Sequence, residues 1–329
     1  MATIRDVARL AEVSVATVSA VLNRTSYVSP ELTKRVNEAV RQLDYSMNRL
    51  AQSFQTGTTR TIGMLIPATA NPNPYYGEVV RGAEDFLRKR GYVVILGHTY
   101  NQLREQSRYI ATFRSRMVDG LLLFPAPGDD AEMRKLLENK RPVVFVGRKP
   151  ATPEADVVAA DVRRSTYLGI RHLLLRGHTN VGLIIVKRSL SVAGDRRKGW
   201  QEALAERGIK PDPTWVIEEE LSSAAGESAV MRLLERKPQP TAIFAANLVF
   251  ITGILRSLAA KGIQCPGQME VMCSDDAEWL DVFQPRISTV VQPSYEVGVQ
   301  AANLLLKRIQ HPNRPFETIL LEPELRIRQ

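Results

Sequence analysis

Thr3-Ile4-Arg5-Asp6-Val7-Ala8, then Ala11-Glu12-Val13-Ser14, then Val15-Ala16-Thr17-Val18-Ser19-Ala20-Val21-Leu22-Asn23 is the stretch that decides how this chain begins. Thr3 is placed to cap a short helix, and Asp6 reaches back to complete a capping box. Ile4, Val7, Ala8 and Ala11 recur at helical spacing and give that helix one apolar stripe. After a tight break, Ser14 is a good N-cap for a second helix. There Val18, Val21 and Leu22 point one way, while Val15, Ala16, Thr17, Ser19 and Ala20 face outward. Short helix, tight turn and second helix with a small outer face describe a helix-turn-helix. A third helix starts with Ser29 as cap and Pro30 in its first position, and packs through Val36, Ala39, Val40 and Leu43. A generic three-helix bundle would satisfy the same pattern. Arg5, Arg9, Arg24, Lys34, Arg35, Arg41 and Arg49 outnumber the acids of the segment, and a basic surface beside the hydroxyl-bearing helix starts Thr3, Ser14 and Ser29 favours phosphate contact instead.

These residues, with Leu22-Asn23 and Tyr45-Ser46-Met47-Asn48, resemble the head of the lactose-repressor family of bacterial transcription regulators, and the resemblance runs through nearly the whole chain. It implies that the second helix enters the major groove, where Val15, Ala16 and Ala20 meet base edges. All three are small and apolar, suited to a thymine methyl but not to a bidentate hydrogen bond. Ala20 stands where Arg is frequent, so discrimination shifts towards the linker and DNA deformation. Ser14, Thr17, Ser19, Asn23, Tyr27 and Ser29 suit phosphate contacts, which set register. Glu12 replaces a frequent Gly in the turn, bringing strain and a negative charge. One head makes few contacts, so a homodimer on a pseudo-palindromic double-stranded DNA operator is expected.

Residues 46–59 follow the head. A helix this short is marginal alone in water, and the residues by themselves read as a plain linker. The resemblance makes it a hinge helix that enters the minor groove when paired. Asn48 starts it, Ala51 matches the family pattern, and Phe54, where Leu is usual, is the candidate wedge between bases. Met47 stands in place of the usual Pro.

From Thr61 the pattern becomes alternating strands and helices: Ile62–Ile66, a helix to about Arg90 stopped by Gly91, Val93–Leu96, a polar helix, Leu121–Phe124 and Val143–Val146. The cycle restarts with Val181–Ile185, Ala242–Ala245 and Glu270–Cys273. Such alternation gives parallel sheets covered on both faces. The expected fold is α/β: a two-lobed, periplasmic-binding-protein-like core of doubly wound parallel sheets behind an N-terminal all-α helix-turn-helix domain. Its boundaries are 1–45 for the head, 46–59 for the hinge and 60–329 for the body. One lobe takes about 60–160 and 292–317, the other about 161–291 and 318–329. A cleft then lies where strands end, and Tyr75, Tyr76, Arg148, Arg196, Asn247 and Asp275 fall at those ends. Singly, each has a plain alternative: packing for the tyrosines, a helix cap for Asn247, a solvated face for Arg196. In the family, Arg196, Asn247 and Asp275 correspond to residues that hold ligand hydroxyls or carboxylates, and the tyrosines to an aromatic cover. His178 reads as a turn residue, and Thr289-Val290-Val291-Gln292-Pro293 as a crossover between lobes. Gly147 and Leu248 stand where Asp is common. With both arginines kept, the effector is expected to be a sugar, sugar acid or phosphorylated sugar, with an anionic or partly apolar ligand favoured.

The 329 residues carry a net charge of +9, which suits an anionic partner. No apolar run spans a membrane, and an acid at position 6 opposes a secretory signal, so the expected location is the cytoplasm. Cys265 and Cys273 have no metal-ligand spacing with each other or with the four histidines; neither metal nor cofactor is expected, and both cysteines read as ordinary thiols. Two other functions compete. A solute-binding protein without DNA-directed function is opposed by the head. An enzyme is opposed by the lack of a phosphate loop, nucleophile elbow or metal motif. Asp275-Asp276, adjacent acids in sequence, are weak grounds for acid–base chemistry. The reading is therefore a ligand-controlled repressor with allosteric coupling between effector and operator. The sign, induction or corepression, stays open. The carboxyl-terminal stretch Ile319–Arg326 reads as a strand without heptads, which favours a dimer.

Overall fold

A computed structural model describes residues 2–23, 26–45, 58–67, 73–115, 118–128, 131–150, 154–187, 190–284 and 286–328. The chain divides into two units, Met1–Thr59 and Arg60–Gln329.

The first unit contains α1 (Ile4–Leu10), α2 (Val15–Asn23) and α3 (Pro30–Gln42). Thr3 and Asp6 form the capping box, the Thr17 amide donates to Ser14 Oγ at 3.0 Å, and Ser29 accepts from the Leu32 amide. Val7, Ala8, Ala11, Val18, Val36 and Ala39 are the buried core, with Val21, Leu22 and Val40 against it. Glu12 turns the chain with φ 51°, a conformation that favours glycine. Its carboxylate accepts from Arg35 at 2.9 Å, so the charge expected in the turn is paired.

The second unit holds two sheets of six strands. The first is built from β1 (Thr61–Ile66), β2 (Val93–His98), β3 (Gly120–Leu123), β4 (Val143–Val146), β5 (Asp156–Ala160) and β11 (Thr318–Leu321) in the order β11-β5-β4-β3-β1-β2, parallel throughout. The second has β6 (Val181–Val186), β7 (Val216–Glu219), β8 (Ala242–Ala245), β9 (Glu270–Ser274), β10 (Ser288–Val291) and β12 (Glu324–Arg326) in the order β12-β10-β9-β8-β6-β7, with only β12 antiparallel. The buried strands are nearly continuous apolar runs, as covering on both faces requires.

Helices α4 (Pro74–Arg88), α5 (Leu103–Ser115), α6 (Ala131–Glu138) and α11 (Ser294–Gln310) serve the first sheet. Helices α7 (Val162–Leu175), α8 (Ser191–Glu206), α9 (Ser223–Leu234) and α10 (Ile251–Ala260) serve the second. Asn73 caps α4 through the Tyr75 amide at 3.1 Å and Pro74 opens it, while Gly91 turns the chain at φ 76°. Helices α4 and α11 pack so closely that a Cβ on Gly82 would lie 2.0 Å from the Tyr295 carbonyl oxygen, and one on Gly298 2.1 Å from that of Val79. The second lobe is centred on Trp200, Phe244 and Phe250, each at most 1 % exposed.

The chain crosses between lobes after β5, after β10 and after β11. The last crossing departs from the sequence-based division, which gave 318–329 to the second lobe. Thr318–Leu321 pair with Val157–Ala160 of β5, so they complete the first sheet, and the chain crosses at Glu322–Pro323. β5 and β7 were also absent from the sequence-based elements.

Candidate functional site

In the head, Val15 and Ala16 are exposed on α2 and Ala20 is half-buried beside them. Ser14 and Thr17 bond to each other through their hydroxyls at 2.8 Å, and the Asn23 amide donates to Ser19 Oγ at 3.2 Å. Tyr27 is 89 % exposed. Thr3 is exposed and Ser29 half-buried at their caps. α2 therefore offers a small apolar strip bordered by hydroxyls, a shape that fits a groove with phosphate on either side. The linker candidates Asn48, Ala51 and Phe54 lie outside the described residues.

In the second unit, a cleft of ≈ 410 Å³ opens between the two sheets, a size suited to a small metabolite. Nearly every strand end contributes to it. Tyr75 and Tyr76 enter at the start of α4, Asn101 after β2, Phe124 after β3, Arg148 after β4, Asn247 after β8, Asp275 after β9 and Gln292 after β10. Arg196 projects from α8. All six residues expected from the sequence thus line one cavity.

The aromatic wall is Tyr75, Tyr76 and Phe124, stacked edge to face with centroids 5.3–6.3 Å apart. Burial raises the pKa of both tyrosines, so their hydroxyls are neutral. Gly147 belongs to this wall. Its φ is 72°, and a Cβ there would meet Phe124 Cε1 at 2.5 Å, so an aspartate at this position would have to displace the aromatic ring.

The polar floor is unevenly satisfied. Arg148 donates to Asn101 Oδ1, while its buried Nε has no hydrogen-bond partner among the described residues. Arg196, 5 % exposed, forms no hydrogen bond or ion pair with a described residue; burial lowers its pKa, with Asp275 opposing. Asp275 sits at φ 75° and accepts from Gln292 Nε2 through Oδ1, while Oδ2 has no hydrogen-bond partner among the described residues. Burial pushes its carboxyl up to about 6, against the pull of Arg196 and Gln292. At the rim, Lys187 pairs with Glu220 at 2.8 Å and Glu219 with Arg232 at 3.0 Å. Among the described residues, the deep cleft is left with two guanidinium groups, Arg148 and Arg196, against one carboxyl, Asp275.

The plain readings account for part of this. Asn247 is also a cap, accepting from the Val249 amide at 3.0 Å. His178 bonds Thr241 and Glu270 at 2.9 Å each, away from the cleft. Gln292, taken from the sequence as part of a crossover, is a cleft residue as well. Asn101 and Phe124 escaped the sequence reading; their position just past a strand was the available signal.

The comparisons agree with this architecture. Residues 3–48 match the model of bacterial regulatory proteins of the lacI family, and residues 170–329 match the periplasmic binding protein-like domain. The transcriptional repressor PurR of Aliivibrio salmonicida is 32 % identical over 329 residues, covering 99 % of this chain and 97 % of that protein. The chain belongs to the lacI family of bacterial regulatory proteins. It is a DNA-binding transcriptional repressor of that family and not an enzyme. The ribose operon repressor of Haemophilus influenzae is likewise 32 % identical, covering 100 % of this chain and 98 % of its own. Among solved structures, the lac repressor dimer bound to operator and the anti-inducer ONPF superposes with a TM-score of 0.86 at 25 % identity, covering 99 % of this chain and 98 % of that one. The complex of the regulator CelR with cellobiose gives 0.77 at 28 % identity, covering 99 % of each chain. No helix among the described residues of this family member is long and apolar enough to cross a membrane.

Proposed function

We propose that this repressor binds a pseudo-palindromic operator as a homodimer and is controlled by a small metabolite in the cleft. The observation that carries the effector reading is a set of polar groups gathered there: the buried atoms Arg148 Nε and Asp275 Oδ2, which have no hydrogen-bond partner among the described residues, and the Arg196 guanidinium, which bonds no described residue and belongs to a side chain 5 % exposed at the cleft. Buried polar atoms without partners cost free energy until something bonds them. A ligand with an oxyanion for the arginines, hydroxyls for Asn247 and Asp275, and a face for Tyr76 and Phe124 would satisfy all three. That describes a sugar acid or phosphorylated sugar. The relatives support the polyhydroxylated part, since they include a ribose operon repressor and a CelR–cellobiose complex; the excess of arginine over carboxyl supports the anionic part.

On the DNA side, Val15, Ala16 and Ala20 read bases. Thr3, Ser14, Thr17, Ser19, Asn23, Tyr27 and Ser29 hold phosphates. Asn48, Ala51 and Phe54 act in a hinge over 46–59. Ligand in the cleft changes the angle between lobes, and by linkage effector and operator affinities change each other by the same factor. Two experiments test this. Selection from a random duplex library should return a two-fold-symmetric site; sequence-blind binding with and without metabolite extracts would reject the operator reading. Titration calorimetry with neutral, acidic and phosphorylated sugars should favour the anions, and micromolar binding of a neutral sugar alone would reject the anionic reading.

A further inference from the structure

Asp275 faces the cleft, but its neighbour Asp276 is held on the other side. The Asp276 carboxylate accepts from Arg328 Nη2 at 2.8 and 2.9 Å, from Arg326 Nη1 at 2.8 Å and from Thr289 Oγ1 at 3.3 Å. Arg328 has a side chain only 5 % exposed and is fully engaged. Its Nε donates to Asp281 at 2.8 Å, its Nη1 to Thr289 Oγ1 at 3.0 Å and to the Ile287 carbonyl at 3.3 Å, and its backbone amide to Ser288 Oγ at 3.0 Å. One guanidinium therefore joins the loop after β9 to the approach and body of β10. The planar fork of arginine fixes geometry in a way that a point charge does not.

The two segments joined in this way deliver the two halves of the cleft's carboxyl–amide pair. Asp275 precedes Asp276, and Gln292 directly follows β10. Gln292 donates to Asp275 and to Ser274 Oγ at 3.2 Å, and the Asp275 amide donates to the Val290 carbonyl at 3.0 Å. Asp275 holds a left-handed backbone at φ 75°, a conformation that costs an ordinary residue free energy and persists when neighbours fix it.

We propose that Arg328 is a positioning residue of the effector cleft: through Asp276 and Thr289 it sets the loop conformation that pairs Asp275 with Gln292 and presents both to the ligand. It touches no ligand itself. The inference rests on the reading of the cleft as the effector site, and its test needs no effector.

The probe is the Gln292 side-chain amide, observed by NMR in the full-length protein labelled with ¹⁵N-glutamine and assigned by its loss in Gln292→Glu. Across a pH titration this amide reports ionisation of Asp275. Among the described residues, the other charged or titratable groups around Asp275 are Arg196 on α8, Tyr75 and Tyr76 on α4, Cys273 on β9 and Asp276 beside it, with Arg148 elsewhere in the same cleft. In Arg328→Met, loss of the clamp hydrates Asp275, so its midpoint should fall from about 6 by about one pH unit towards the ordinary carboxylate value. Arg328→Lys should recover part of that change. Charge removal alone would act oppositely, because losing a nearby cation disfavours the carboxylate. An unchanged or raised midpoint in folded Arg328→Met overturns the proposal, as does a wild-type Gln292 amide that does not titrate. Should Arg328→Met not fold, Arg328→Gln, which keeps donors without the fork, is read the same way. The expected fall with no sugar or sugar derivative bound in calorimetry would reject the effector reading and leave the positioning role standing.

Discussion

Arg196 is buried without a described partner, an arrangement that costs stability unless a ligand repays it. Arg196→Ala should therefore abolish the change in operator affinity caused by effector while leaving operator affinity itself within about twofold, as measured by fluorescence anisotropy; loss of both would mean a structural role. Asp275 allows a prediction with a defined sign. Its carboxyl titrates near 6 in the folded protein and near 3.9 in an unfolded chain, so the folded state binds the extra proton between these values. The stability it contributes is complete below about pH 4 and is lost as pH rises through 6, by at most about 3 kcal/mol. Melting curves of ligand-free protein should show wild type declining relative to Asp275→Asn across that window, and parallel curves would refute the assignment. Much of this cleft was legible residue by residue, because strand ends collect ligand groups in open α/β sheets. What sequence could not supply was geometry. Nothing in Gly147 announces a φ of 72° or a phenylalanine ring where its Cβ would stand, and nothing in Gln292 separates a crossover residue from one that reaches Asp275.

Elements were legible where their patterns were long. β1, β3, β4, β6, β8 and β9 are short apolar runs between helices, and the sequence places each within about two residues. β5, Asp-Val-Val-Ala-Ala, and β7, Val-Ile-Glu-Glu, have too little apolar bulk to stand out. β11 was read as part of one tail strand because its partner, β5, is more than 150 positions away, and only the fold brings them together. That join is fastened by Arg308 of α11. Its Nε and Nη2 bond the Asp156 carboxylate at 2.7 and 3.1 Å, both side chains are at most 7 % exposed, and its Nη2 also meets the Pro315 carbonyl at 3.0 Å. Arg308→Met leaves a buried carboxylate unpaired and should cost about 3–5 kcal/mol; chemical denaturation of the body would measure it, and a loss below about 1 kcal/mol would contradict the burial. Gly298→Ala should force α11 away from α4, since the new methyl would overlap the Val79 carbonyl. We expect a loss of a few kcal/mol, as for other overpacked core positions.

At the scale of the molecule, the proposed function divides the work between a small basic head, for nucleic acid, and a large two-lobed body, for a metabolite. On the proposed reading, in which alanine and valine side chains meet the bases, the head gains most of its affinity from phosphates. Operator affinity should consequently fall steeply with salt, by roughly 10³–10⁵-fold between 50 and 200 mM if 6–10 phosphates are neutralised. A nearly flat salt dependence would show that the hydroxyl-bordered face of α2 is not the contact surface. The helix-turn-helix and the two-lobed plan were both legible because each rests on local periodicity, whereas the threading of the last crossing depends on contacts across the whole chain. That threading has a consequence during synthesis. Residues 4–42 hold the head's helices and can collapse as soon as they leave the ribosome. Each sheet of the body, by contrast, waits for a strand translated after residue 317. Until then β5 and β10 each lack their outer partner, and an open edge invites pairing with another chain. The body of this repressor is thus a late-folding cargo for whatever shields nascent polypeptides, while its DNA-reading end is already shaped.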